Sequence, residues 1–82
     1  MLTFEFDPDG ILEVTCDEAG RIRLVSVLQR LAVGDHEHLS TPHWGGDTLT
    51  DSFPNPDLVP IHQVTIQVLS SEELPRGTGV ET

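Results

Sequence analysis

Four histidines lie in or near the middle of the sequence, where they could support a metal site. His36 and His38 are two residues apart, so on a β-strand both imidazoles would project from one face. His43 and His62 could approach that face, and three imidazoles with one open position can hold Zn²⁺. No cysteine accompanies them at a metal-ligand spacing. The pattern predicts no metal site and no cofactor. The alternative is a small His-dependent metal-binding protein or enzyme that uses His36, His38 and His43.

Nucleophilic catalysis has no recognisable motif in this sequence. Cys16, the only cysteine, falls in the inward register of an alternating run, where a thiol is buried and inert. None of the serines lies in a nucleophile elbow. No Gly-rich loop follows a strand and opens a helix, so no phosphate cradle is predicted. We therefore expect no catalytic residue and a protein that is not an enzyme.

The only tryptophan, Trp44, lies between a proline and two glycines, in the run Thr41-Pro42-His43-Trp44-Gly45-Gly46. One interpretation is that the ring folds back to fill one end of the core. This interpretation is favoured because a tryptophan buries up to about 250 Å² and a chain this short lacks apolar mass. The other is that the ring is an exposed anchor, since tryptophan is enriched at binding hot spots. The two interpretations are compatible if only part of the ring is buried.

The charge of the chain is strongly negative. Fourteen acidic residues face four arginines and no lysine, which gives a net charge of −10. Residues 35–73 contain seven acids and neither lysine nor arginine. Such a surface repels nucleic acid and anionic membranes and attracts a basic partner, although acidity can also serve solubility alone. The predicted partner-binding residues are Trp44, His43, Asp47, Asp51, Asp57 and Glu37.

Residues 34–50 resemble the central signature of the immunity protein 32 family. The matching pairs and runs are Asp35-His36, His38-Leu39, Thr41-Pro42, Trp44-Gly45-Gly46 and Leu49. The members of that family are small α+β proteins encoded beside toxins in bacterial polymorphic toxin systems. The resemblance implies a protein that neutralises a toxin by binding it directly. A nuclease with a basic cleft is the kind of toxin that an acidic protein would fit, because complementary charge speeds association.

Alternating and helical apolar patterns predict the order β-β-α-β-β. Residues 2–6 and 11–16 alternate around the turn Asp7-Pro8-Asp9-Gly10, which is typical of a β-hairpin. Asp17 is a good N-cap for an amphipathic helix that reaches Val33, with Gly34 as its stop. A short strand over 35–40, a long connection over 41–60 and a strand over 61–69 follow.

These elements predict an α+β fold with one helix across a mostly antiparallel four-stranded sheet. Leu24, Val27, Leu28 and Leu31 form the apolar stripe of the helix. We expect this stripe to pack on inward strand residues, which are Phe4, Phe6, Leu12, Val14, Val64, Ile66 and Val68. The other sheet face should be largely solvated. A single domain over 1–70 and a flexible tail over 71–82 are predicted.

The sequence also favours a cytoplasmic location. No apolar run approaches about 18 residues, and the first residues lack the basic and apolar regions of a signal peptide. A lone cysteine fits a reducing compartment. A monomer or a homodimer is expected, and a self-associating acidic domain that pairs through an edge strand is a further alternative to toxin binding.

Overall fold

The computed structural model describes residues 1–72 and has one helix and two antiparallel sheets. In chain order the elements are β1 (Leu2–Phe6), β2 (Leu12–Cys16), α1 (Glu18–Arg30), β3 (His36–Ser40), a 3-10 turn (Pro42–Trp44), β4 (Val59–Ile61) and β5 (Gln63–Gln67). The α+β class is confirmed. The predicted tail from residue 73 onward lies outside the described residues. No helix in residues 1–72 is long and apolar enough to cross a membrane.

The predicted four-stranded sheet is wrong, because the last strand divides at His62. Strands β2, β1 and β4 form one sheet, and β3 and β5 form the other. Phe4 pairs with Ile61, so two residues further along the chain Gln63 would lie beside Leu2. That position is occupied, since the Thr50 N–H donates to the Leu2 carbonyl (2.9 Å) and the Leu2 N–H donates to the Thr50 hydroxyl (3.1 Å). The chain therefore leaves β1 and pairs with β3.

The predicted hairpin and the start of the helix are confirmed. The Gly10 N–H donates to the Asp7 carbonyl (2.8 Å), and Gly10 has φ +104°, which glycine adopts without strain. Asp17 caps α1 by accepting from the Gly20 N–H (2.8 Å). The N-terminal ammonium of Met1 donates to the same carboxylate (2.6 Å) and holds the pKa of Asp17 below its usual value.

The helix ends at Arg30, three residues before the predicted end. Leu31 is already extended, with ψ 125°, and turns its side chain to the core. The Asp35 side chain accepts from the Ala32 N–H (3.0 Å), which stabilises a turn rather than another helical turn. Gly34, with φ +94°, belongs to this turn and not to a helix cap.

The core is smaller than predicted. Its buried apolar residues are Leu2, Phe4, Val27, Leu39 and Leu49, and the partly buried ones around them are Leu24, Leu31, Ile61, Val64 and Ile66. The predictions for Phe6, Leu12, Val14, Leu28 and Cys16 are wrong, since all five are exposed. A 13-residue helix covers Leu2 and Phe4 but not the hairpin end of the sheet. Leu49, from the long connection, fills the core instead.

The second face of β1 is buried, which corrects the expectation of a solvated face. Thr3 and Glu5 are 0% exposed. The Asn55 N–H donates to one carboxylate oxygen of Glu5 (3.2 Å), so the long connection covers this face. Among residues 1–72, the other Glu5 oxygen and the Thr3 hydroxyl have no hydrogen-bond partner. Unpaired buried polar atoms cost about 1–3 kcal/mol each, which offsets part of the core's contribution to stability.

Leu39 and Leu28 provide a matched test of which apolar side chains form the core. Leu39→Ala should lower the free energy of unfolding by about 2–5 kcal/mol, because Leu39 is fully buried. Leu28→Ala should lower it by less than about 1 kcal/mol, because half of that side chain is already in water. Urea unfolding measures both, and equal losses would contradict this packing.

Gly20→Ala tests the close approach of α1 to the start of β1. A Cβ at Gly20 would lie 1.8 Å from the Met1 carbonyl oxygen and 3.1 Å from the Cys16 Cβ. Alanine gains about 1 kcal/mol of helix propensity over glycine, but the backbone clash should outweigh it. We expect a lower melting temperature for Gly20→Ala and an unchanged or higher one for Ser26→Ala, which changes an exposed position of the same helix. A stabilised Gly20→Ala variant would show that the approach is not tight.

Candidate partner-binding site

The segment around Trp44 is a compact turn built on backbone hydrogen bonds. The Thr41 carbonyl accepts from the N–H groups of Trp44 (2.9 Å) and Gly46 (3.0 Å). The Gly45 N–H donates to the Pro42 carbonyl (3.0 Å). We call residues 41–46 the tryptophan turn. Its backbone is fixed by these bonds, so the direction of the indole is set by the turn and not by burial of the ring.

Both glycines of the turn are required by its geometry. Gly45 has φ +81°, a left-handed conformation that disfavours side chains. A Cβ at Gly46 would lie 2.6 Å from both the carbonyl oxygen and the Cβ of Ser40. The chain therefore passes directly against the end of β3. The Trp-Gly-Gly run is a structural requirement of a tight turn at this position.

The two ends of the tryptophan turn are attached to the body of the protein. Thr41 is fully buried; its N–H donates to the His62 carbonyl (2.9 Å), and its hydroxyl lies 2.9 Å from the His62 Nδ1. After the turn, the Leu49 N–H donates to the Ser40 carbonyl (3.1 Å), and its side chain enters the core. Attachment at both ends limits the motion of the segment between them.

Trp44 itself is 63% exposed, so the favoured interpretation of a core plug is wrong. The ring of His43 lies next to the indole in an edge arrangement, at a centroid distance of 6.5 Å. His43 lies 4.6 Å from the ring of His62, which in turn meets the edge of Phe53 at 5.4 Å. The rings of His43, Phe53 and His62 form a small aromatic cluster next to the exposed indole of Trp44. The sequence analysis missed Phe53, for which no local pattern signalled a role.

Three of the predicted acidic contacts are exposed: Asp47, Asp51 and Asp57. The ion pairs within residues 1–72 involve none of them. Asp47 adjoins the helix, because its carbonyl accepts from the Arg23 guanidinium (2.9 Å). The Asp57 N–H donates to the Asn55 side chain (3.0 Å) in a local turn. Within residues 1–72, no cationic side chain forms an ion pair with these carboxylates, so none offsets their contribution to the field of the protein.

Glu37 differs from the other predicted contacts. It lies on the face of β3 opposite to His36 and His38, and its carboxylate accepts two hydrogen bonds from Arg30. It is also only partly exposed. Because an arginine of the same chain balances its charge, Glu37 contributes little to attracting a partner. Glu37 is therefore a weaker candidate for partner binding than His43 and Trp44.

The histidines form two pairs and not one group of three. His36 and His38 share a face of β3 as predicted, with ring centroids 5.2 Å apart, and His38 Nδ1 lies 2.8 Å from the Thr65 hydroxyl. His43 and His62 form the other pair. In the described part of the chain, no three His, Cys, Asp or Glu side chains are arranged so that they could hold a metal ion.

A groove was also missed by the sequence analysis. It lies between α1 and residues 47–48 and has a volume of about 580 Å³. Arg23, Arg30 and Ile22 line its helical side, and Asp47 lies on the other. Its two sides come from segments about 20 residues apart in the chain, so no local spacing in the sequence could have indicated it.

The comparisons with known proteins found no family model, no curated protein and no solved structure that matches this chain. The resemblance of residues 34–50 to the immunity protein 32 signature therefore stays a prediction. The structure gives a physical role to several residues of that stretch, since Thr41 and Leu49 are buried and the two glycines permit the turn.

Trp44→Ala tests whether the indole contributes to the core. The free energy of unfolding should fall by less than about 1 kcal/mol, because most of the ring is in water and the neighbouring ring of His43 is itself exposed. A buried tryptophan would instead cost about 3–5 kcal/mol. Thermal and urea unfolding of the variant and the parent protein measure the difference, and a loss in the larger range would restore the core-plug interpretation.

Proposed function

We propose that this protein binds and neutralises a cognate toxin of a bacterial polymorphic toxin system, as an immunity protein of the cytoplasm. The observation that carries the proposal is the 63% exposure of Trp44 on a turn held at both ends by buried residues. A core this small could use the indole for burial, yet the turn directs it to water. The resemblance of residues 34–50 supports the choice of a toxin as the partner.

The tryptophan turn has the properties of a binding anchor. Tryptophan is among the residues most enriched at interface hot spots. A preorganised anchor loses little conformational entropy on binding, so more of its contact energy contributes to affinity. The hydrogen bonds of Thr41, Gly45 and Gly46 supply that preorganisation before any partner arrives.

The charge distribution supports a basic partner. Asp47, Asp51 and Asp57 are exposed, and no ion pair within residues 1–72 balances them. With a net charge of −10, the protein attracts a positively charged surface over a distance limited by screening. A toxin with a basic cleft, such as a nuclease, would be steered to this side. Neutralisation by covering such a cleft requires no catalytic residue, cofactor or metal of the immunity protein.

The test uses the product of the adjacent reading frame, with association and dissociation rates measured by surface plasmon resonance. Trp44→Ala should speed dissociation at least tenfold, because anchors act mainly on the off-rate. Asp47→Lys combined with Asp51→Lys should slow association and flatten its salt dependence, because exposed charges act mainly on the on-rate.

Matched variants on the hairpin serve as controls. Ile11→Ala removes an equally exposed apolar side chain outside the turn, and Asp9→Lys with Glu13→Lys makes the same change in net charge. Both should bind like the parent protein or nearly so. Equal effects of the control and site variants would place the interface elsewhere, and failure of the parent protein to bind the toxin would overturn the proposal.

A further inference from the structure

Strand β2 is an edge strand whose outer backbone groups are unpaired within the described sheet. The sheet order is β2-β1-β4, so only one side of β2 is occupied. The Asp7 N–H donates to the Ile11 carbonyl, and the Asp17 N–H donates to the Met1 carbonyl. Hydrogen-bonded and non-hydrogen-bonded residue pairs alternate along an antiparallel ladder. Glu13 and Thr15 therefore form the hydrogen-bonded pairs, with Glu5 and Thr3 of β1.

It follows that alternate residues of β2 direct their N–H and C=O groups to the free edge. These residues are Leu12, Val14 and Cys16, whose partners in β1 are Phe6, Phe4 and Leu2. A second strand could accept and donate six backbone hydrogen bonds along this edge. Edge strands are commonly protected by lysine, proline or bulges, and β2 contains no lysine or proline.

The helix adds apolar surface above the same edge. Arg30 pairs with Glu37 and Arg23 bonds the Asp47 carbonyl, so that flank of α1 faces β3 and the tryptophan turn. At 100° per residue, Leu28 lies on the opposite flank, toward β2, whereas Val25 is turned about 130° from the buried stripe, toward water. Leu28 is 51% exposed, and Leu12 and Val14 of β2 are 56% and 45% exposed. We call Leu12, Val14 and Leu28 the edge patch.

We propose that β2 pairs antiparallel with β2 of a second copy of this chain, about a two-fold axis at Val14, and joins the two edge patches. Val14 then faces the second copy's Val14, and Leu12 faces the second copy's Cys16. All three outward-directed residues form hydrogen-bonded pairs in this register. The two three-stranded sheets become one six-stranded sheet with a helix of each copy on the same face.

The charges of β2 favour this self-pairing. In the proposed register Glu13 faces the second copy's Thr15, so no like charges stand directly opposite, which would destabilise a sheet. The nearby acids Asp17 and Glu18 are already paired, with the Met1 ammonium and Arg21 respectively. The repulsion between two copies of charge −10 is long-range, so salt screens it.

The dimer leaves the tryptophan turn free, because that turn lies on the other flank of α1. A dimer would therefore present two toxin-binding sites of the kind proposed above. The self-pairing does not depend on that proposal, since it rests on β2 and the edge patch alone. A basic partner's strand added to the same edge is the competing occupant, and the experiment distinguishes it from a second copy.

The first measurement is the mass in solution as a function of concentration, by sedimentation equilibrium. The parent protein should shift from 9.0 kDa toward twice that mass. Val14→Pro removes an outward N–H without breaking a bond to β1, and Val14→Lys places like charges across the two-fold axis. Each should weaken dimerisation at least tenfold. Val33→Lys makes the same charge change at an exposed residue outside the edge patch and should have no effect.

The second measurement tests the register by disulfide trapping. Leu12→Cys places a thiol opposite the second copy's Cys16, where Cα atoms of a bonded pair are about 5.5 Å apart, within the range of a disulfide. The two thiols of one chain are roughly 13 Å apart and cannot pair. Oxidised glutathione should trap Leu12→Cys as a covalent dimer, but not Ser26→Cys, whose thiol lies on the helix.

The third measurement is the dependence of dimerisation on salt concentration. Raising the ionic strength from about 0.01 M to about 1 M shortens the screening length from about 30 Å to about 3 Å and should strengthen the dimer. A basic partner's strand would bind more weakly under the same change. A mass of 9.0 kDa at all concentrations up to about 1 mM would overturn the proposal. So would dimers that are insensitive to both Val14 variants, or equal trapping of Ser26→Cys.

Discussion

Three hydrogen bonds join Thr50 to the backbone of Leu2, at the point where β4 would otherwise continue along β1. Because that edge of β1 is occupied, the chain turns at His62 and pairs with β3 instead. The sheet divides there, and His62 becomes the attachment point of Thr41. The change of partner strand at His62 therefore both divides the sheet and attaches the tryptophan turn. A contact between the first strand and the long connection determines where the candidate site forms.

The long connection also provides packing contacts that further helices or strands would provide in a longer chain. Leu49 enters the core, and Asn55 bonds the buried Glu5. These contacts leave β1 buried on both faces while the hairpin end stays exposed, since one 13-residue helix cannot cover the whole sheet. The core is small and much apolar surface stays exposed for the same reason, which is that one short helix covers only part of the sheet. The exposed apolar side chains include Leu12 and Val14 of β2 and Leu28 of α1.

The two sides of α1 have different chemistry. On one flank, Arg23 and Arg30 contact Asp47 and Glu37, and Asp47 directly follows the tryptophan turn. On the other flank, Leu28 lies on the side of β2 and is half exposed. A charged surface with a single aromatic anchor suits a partner that arrives by electrostatic steering. An apolar edge with unpaired backbone groups suits strand pairing. One small domain can carry both because the helix separates them.

The sequence by itself determined the hairpin, the helix start at Asp17, the short strand predicted over 35–40 and the shared face of His36 and His38, because turn residues, caps and two-residue alternation are local. It also determined the net charge of −10. Only the tertiary structure decided that the last strand divides, that Leu49 is core and that Leu12, Val14 and Leu28 are not. Alternation identifies which residues share a face, but burial depends on how much of that face the helix covers. The exposure of Trp44 likewise depends on the close approach of Gly46 to Ser40 and on the bonds of Thr41 to His62, which join residues distant in the chain.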